Sequence, residues 1–132
     1  MPTTTTTLPD DVKAILDKQV FVHVATINPD GSPQSSVVWV ERDGDLIRFS
    51  TADGRVKPRN LVGDDRLALS FTDPDDAYRA ISIQGRATTV EKAGNDLIHR
   101  LANKYLGEER YPWLKPGEER VDVTVATDRI SG

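Results

Sequence analysis

Three cations, Arg55, Lys57 and Arg59, stand within five positions in the run Gly54-Arg55-Val56-Lys57-Pro58-Arg59-Asn60. The chain around them is acidic, with 21 Asp+Glu against 17 Lys+Arg and a formal charge of -4. A β-rich stretch precedes the run, and Pro58 is well placed to open a helix, where its missing N–H is no loss. Backbone amides at a helix start, joined by Arg and Lys side chains, make a site for phosphate or carboxylate groups. The plainer reading is a solvated charged turn in which Asp53, Asp64 and Asp65 cancel the cations. Spacing alone leaves both open.

A second candidate is Asp30-Gly31-Ser32-Pro33-Gln34-Ser35-Ser36, a turn feeding a strand with several small polar side chains. Such groups can hydrogen-bond the polar edge of a planar ligand, or simply satisfy their own backbone. Strand alternation puts Ser36, Val38 and Val40 on one face and Ser35, Val37 and Trp39 on the other. Serine-hydrolase chemistry would need Ser35 or Ser36 beside His23 or His99, and the G-x-S-x-G elbow is missing. His23 reads as a hydrogen-bonded residue of a strand, and His99 as an exposed helix residue. Asp75-Asp76 and Glu118-Glu119 are adjacent and point apart, so they favour solubility over acid–base work. Trp113, in a proline-bounded loop, can cap a flat ligand or close a dimer interface; Trp39, within a strand, reads as core packing.

Composition narrows the classes further. At 132 residues, 37% hydrophobic and 29% charged, the chain is one globular domain. Zero cysteines exclude disulfides, thiol nucleophiles, zinc ribbons and iron–sulfur clusters. An acidic balance argues against nucleic acid as a partner. Two isolated histidines and scattered carboxylates argue against a metal site. No segment has the length of a membrane span, and the N-terminus has neither a basic region nor an apolar signal core, which points to the cytoplasm.

The elements that must position these residues are mostly strands. Residues 1–8 read as a flexible threonine-rich tail and 9–132 as a single domain. Val12, Ile15 and Leu16 give a first helix one apolar face. β-Branched runs predict strands over 20–27, 34–41 and 46–51, the three forming an antiparallel meander. A short helix follows over 58–63, then strands over 66–71 and 80–90, with Gly85 where a bulge belongs. Asn95 reads as the cap of a helix whose apolar face is Leu97, Ile98, Leu101 and Tyr105, stopped at Gly107. A last strand spans 120–126. Six or more mostly antiparallel strands with a few short α-helices make a mainly β protein, a compact barrel with helices plugging its ends.

The order of Ala25-Thr26-Ile27, Asp30 to Ser36, Val38-Trp39, Ser50-Thr51 and Arg55-Val56-Lys57-Pro58-Arg59-Asn60-Leu61 resembles the pyridoxamine 5'-phosphate oxidase-like split β-barrel family. Ile83-Gln84-Gly85-Arg86-Ala87, Tyr105-Leu106-Gly107 and Arg129-Ile130-Ser131-Gly132 are similar to its actinobacterial deazaflavin-dependent branch, whose members use coenzyme F420. The resemblance implies a homodimer with two cofactor clefts at the interface, each lined by both chains. It implies that Lys57 holds the cofactor phosphate, that Arg55 and Arg59 help it or grip an anionic tail, and that Asn60 braces the loop. Gln34, Ser35 and Ser36, with the backbone around Ser50 and Thr51, would line the ring system, and Trp113 would reach the partner's cleft. The implied activity is hydride transfer from reduced F420 to a conjugated small molecule such as a biliverdin-like tetrapyrrole or a quinone. No side chain of the chain is assigned a catalytic role, because the cofactor carries the hard chemistry. The alternatives are an FMN-binding oxidase or reductase of the same fold, or a non-catalytic flavin- or haem-binding protein.

Overall fold

A computed structural model describes residues 6–132. Their order is α1 (Asp10–Leu16), β1 (Val22–Ile27), β2 (Pro33–Val38), β3 (Glu41–Asp43), β4 (Leu46–Ala52), α2 (Val56–Gly63), β5 (Arg66–Asp73), β6 (Asp76–Glu91), α3 (Asp96–Leu106) and β7 (Arg120–Ser131). The seven strands form one sheet in the order β2-β1-β5-β6-β7-β4-β3, every neighbouring pair antiparallel.

The sheet's two edges, β2 and β3, are separated in the chain by Trp39 and Val40 alone. Three Cα–Cα steps from Val38 to Glu41 reach about 11 Å at most. Laid flat, six interstrand spacings would hold the edges about 29 Å apart. The sheet therefore curls until its edges meet at this corner, and a half-barrel results. This is the split barrel expected from sequence, with seven strands where the sequence outlines six.

The extra strand arises because Trp39-Val40 breaks the run 34–41 into β2 and β3. The expected three-strand meander is not formed: β1 lies between β2 and β5, and β4 pairs with β7. Strands β6 and β7 run to 16 and 12 residues, longer than their apolar runs suggest, because they pair with each other along most of their length. Gly107 stops α3 with φ +73, whereas Asn95 makes no side-chain cap bond.

Alternation along the strands sends Val22 and Val24, Leu67 and Leu69, Ile81 and Ile83, Val121, Val123 and Val125, and Ile47 and Phe49 into the main core. Val12, Ile15 and Leu16 of α1 join them. Residues 1–5 of the threonine-rich tail lie outside the described residues. Thr6, by contrast, donates its amide to the Thr127 carbonyl (2.9 Å), and Leu8 is 1% exposed in the core. These residues join the folded unit. A second, smaller cluster gathers Leu97, Ile98 and Leu101 of α3 with Trp39, Tyr105 and Tyr111.

The β6–β7 register shifts between Gln84 and Gly85, as the glycine led us to expect. There a Cβ would sit 2.3 Å from the Ala126 carbonyl oxygen. Gly85→Ala must push one backbone away from the other and is expected to cost about 1–3 kcal/mol. Gly63→Ala, with no atom within 4 Å of its added carbon, serves as the neutral control. Thermal unfolding of the two variants checks this: equal midpoints would mean that the bulge relaxes freely.

Candidate functional site

Strand β4 ends at Ala52, and Gly54 (φ +84) turns the chain into α2. The helix begins at Val56, earlier than Pro58 alone suggests, since first-turn amides have no helical partner for a proline to remove. Lys57, Asn60 and Leu61 fall at i, i+3 and i+4 and share the buried face. Asn60 donates both amide protons, to Thr26 Oγ1 (3.0 Å) and Asn28 Oδ1 (3.0 Å). It thereby pins α2 to the end of β1 and the turn beyond it.

With the helix fixed, Lys57 Nζ reaches across to β2 and donates to Ser36 Oγ at 2.8 Å. Lys57 is only 8% exposed. It lines a cleft of about 200 Å³ together with Ser50 and Thr51 of β4, Arg55, and Arg120 at the start of β7. Arg120 is as buried as Lys57 and is held from three sides. Its Nε donates to Ser50 Oγ (3.0 Å), its Nη1 meets Glu118 (3.3 Å), and its guanidinium lies 5.4 Å from the centre of the Tyr111 ring. Burial above all, and then the charges of Arg55 and Arg120, push the Lys57 ammonium below the ordinary lysine range.

Two of the three acids expected to cancel this charge are engaged elsewhere. Asp53 pairs with Lys92 at 3.0 Å, and Asp64 with Arg66 at 2.7 Å, which with a further backbone bond brings the Asp64 carboxyl down to about 2. Among the described residues no carboxylate pairs with Lys57, and the side chains of Arg55 and Arg59 have neither an ion pair nor a hydrogen bond. Lys57 is thus buried in a cation-lined cleft without a counter-ion, whereas Arg55 and Arg59 are exposed. Glu118 takes up one side of the Arg120 guanidinium (3.3 Å), and the remaining ammonium, guanidinium and hydroxyl donors suit a phosphate group.

The other expected residues are placed less centrally. Arg59 is exposed and lines a neighbouring groove shared with Arg55, Val62 and Lys92, and beyond it another with Asn28 and Arg66. Gln34 donates weakly to the Ser35 carbonyl (3.4 Å), while its Oε1 is buried without a partner. Ser35 is exposed on the opposite face of β2. Trp113 is 58% exposed and packs its ring 5.6 Å from Tyr111 and 6.4 Å from Trp39. Trp39 in turn stacks on Tyr105 at 5.1 Å, so an aromatic wall rises beside the cleft and Trp39 is only half-buried.

Arg120 is the residue that sequence reading misses. It carries no motif, being one basic residue at the start of a strand, and only the β4–β7 pairing brings it opposite Ala52. The histidines exchange roles: His23 is exposed on the outer face of β1, and half-buried His99 accepts the Tyr111 amide at Nδ1 (3.0 Å). Ser36 is bonded to a lysine, so no serine–histidine pair forms around it. Among the described residues no group of three or more His, Asp or Glu could hold a metal ion, and no helix is long and apolar enough to cross a membrane.

The family model for pyridoxamine 5'-phosphate oxidase matches residues 8–127. Among solved structures, the chain is similar to a protein named an F420 reductase, with 28% identity, 94% of this chain and 98% of that one covered, and a TM-score of 0.84. It is also similar to the conserved hypothetical protein Rv2991 from Mycobacterium tuberculosis (23% identity, 98% and 86% covered, TM-score 0.72). General Stress Protein 26 from Bacillus anthracis matches at 17% identity, with 92% and 89% covered and a TM-score of 0.66. The latter two show the fold alone. No curated protein sequence matches the chain.

A buried ammonium without a counter-ion opposes folding, so Lys57→Met is expected to stabilise the protein by about 1–2 kcal/mol. The sign with pH follows from the lowered Lys57 value. The unfolded chain binds the proton more tightly, so the wild type gains stability as pH rises from the lowered value towards the usual lysine range. The gap between variant and wild type should therefore narrow over that window in denaturant titrations. A Met variant less stable than the wild type at neutral pH would make Lys57 a structural residue.

Proposed function

The chain belongs to the pyridoxamine 5'-phosphate oxidase family, and on that premise we propose that it is a cytoplasmic oxidoreductase that uses coenzyme F420 to reduce a conjugated small molecule. One observation carries the choice of F420 over FMN. Past the phosphate-sized cleft, Arg55 lines both that cleft and the next groove, and Arg59 extends through two grooves, whose acids Asp53 and Asp64 are taken up by Lys92 and Arg66. FMN ends at its phosphate and has no need of these further arginines, whereas an anionic tail does. The similarity to a protein named an F420 reductase supports the same choice.

In this reading Lys57, Arg55 and Arg120 hold the phosphate, and Arg59 the tail. The buried, unpartnered Gln34 Oε1 is an acceptor suited to a ring N–H. When bound, the deazaflavin supplies a hydride from a ring carbon. The protein's own part is to orient the ring and substrate and to exclude water, Trp39, Tyr111 and Trp113 forming one wall. A tetrapyrrole or a quinone fits the flat, conjugated class. Of the arginines available for a tetrapyrrole's carboxylates, Arg79 already pairs with Asp11 and Arg86 with Asp128, which leaves Arg110.

A cleft of about 200 Å³ is small for a tricyclic ring; it is lined by exposed Val37, and exposed Trp113 packs behind its Trp39 and Tyr111. A second copy of the chain, closing over these side chains as a homodimer, would complete the enclosure. Apolar side chains left in water at a cleft mouth are what such an interface covers.

Titration with F420 and with FMN, followed by tryptophan quenching, tests the proposal. Tighter binding of F420 is expected, with Lys57→Ala weakening both ligands about 10–100-fold, the value of a charged hydrogen bond. Arg59→Ala should weaken F420 alone. Preference for FMN would move the protein to the flavin reading, and binding of neither would sink the cofactor hypothesis. Tight binding without turnover on any acceptor would favour a non-catalytic carrier.

A further inference from the structure

Lys57 differs from every other lysine of the chain. Lys13 pairs with Asp45, Lys18 with Asp73 and Asp75, and Lys92 with Asp53 and Glu119. Lys104 donates to the Leu16 and Val40 carbonyls, and Lys115 is exposed. Lys57 alone is buried, opens on a cleft and has only a neutral hydroxyl, Ser36 Oγ, as its acceptor. Burial beside other cations makes this amine easier to deprotonate than a surface lysine, and a free amine attacks carbonyl carbon.

The cleft also selects the carbonyl compound. Arg120 uses Nε and Nη1 on Ser50 and Glu118, which leaves Nη2 for a ligand, and the Arg55 guanidinium has no partner among the described residues. Both favour an oxyanion within reach of the amine. We infer that, when no cofactor fills the cleft, Lys57 forms a reversible imine with small aldehydes that carry a phosphate group. The Nζ lone pair attacks the carbonyl carbon, a C–N bond forms and the C=O π pair moves to oxygen. One amine proton moves to that oxygen to give the carbinolamine, which then loses its hydroxyl with the remaining amine proton as one water, and C=N remains. Nothing is oxidised or reduced. Ser36 Oγ, 2.8 Å from the nitrogen, is placed to pass a proton towards the departing hydroxyl.

This activity goes beyond the proposed reductase and uses no hydride from it. The test is to incubate the full chain with glyceraldehyde 3-phosphate, trap imines with borohydride and locate the modified lysine by peptide mass spectrometry. Lys57 should be labelled at least about tenfold faster than any other lysine, and about tenfold faster than with uncharged glyceraldehyde, the ratio of one charge-assisted hydrogen bond. Inorganic phosphate should protect it, and Arg55→Gln, a change at an exposed residue, should erase the preference for the phosphorylated aldehyde. Labelling spread evenly over the lysines, or Lys57 labelling indifferent to the phosphate group, would overturn the inference. Selective labelling in a protein that binds no F420 would leave this inference standing and remove the reductase reading. F420 binding without selective labelling would do the reverse.

Discussion

Everything in this molecule depends on a link of two residues. Trp39 and Val40 join the opposite edges of the sheet, and a chain that short cannot cross a flat one. The break would leave backbone groups without a ladder, a cost that buried structure must meet with side chains. The end of α3 meets it. Tyr105 accepts the Val40 amide (3.0 Å) and donates to the Val20 carbonyl (2.6 Å), while Lys104 donates to the carbonyls of Leu16 and Val40. The hydroxyl is held so far from water that burial pushes its ionisation up to about 12. The helix is thus the clasp of the half-barrel, and Trp39, stacked on Tyr105, becomes the wall of the cleft.

The cleft inherits its character from the same closure. Elsewhere in the structure, charges near the core have partners. Arg48 lies 3.7 Å from the buried Asp122 and 3.8 Å from Glu41, which in turn holds Arg100 at 2.7 Å. Even so, burial raises the Asp122 carboxyl above its ordinary value. Around Lys57 the pattern inverts: Arg55 and Arg120 gather beside it, Glu118 meets Arg120 alone, and among the described residues no carboxylate pairs with the ammonium. A fold selected for stability alone would not leave that arrangement uncompensated, because an unpaired buried charge costs several times what a surface pair returns. A site that must receive an anion does leave it so, since the ligand brings the missing charge.

Rigidity in this site comes from neutral groups. Asn60 ties α2 to Thr26 and Asn28, and Ser50 and Ser36 fix the headings of Arg120 and Lys57. A hydroxyl orients Lys57 without neutralising it, which keeps its charge available to a ligand, while Arg120 is shared between Ser50 and the Glu118 carboxylate. The loop above is held more lightly, by the Tyr111 amide on His99 and the Tyr111 ring over Arg120. The wall of the cleft thus rests on one of the residues that line its floor.

Much of this was legible from the chain alone, where the governing physics is local. Apolar residues at i, i+3 and i+4 mark α1 and α3, β-branched runs mark the strands, and glycines mark the bulge at Gly85 and the stop at Gly107. The cluster Arg55, Lys57 and Arg59 is visible because its members are neighbours in sequence. Tertiary structure alone decided which acids neutralise which cations, turning Asp53 to Lys92 and Asp64 to Arg66. It also decided that Arg120 completes the cleft, that Arg59 lies beyond it, that the run 34–41 breaks in two, and that His99 rather than His23 is the bonded histidine. The reason is distance: periodicity reports contacts within a turn or a strand, whereas burial and charge pairing act across a few ångströms between segments far apart in the chain.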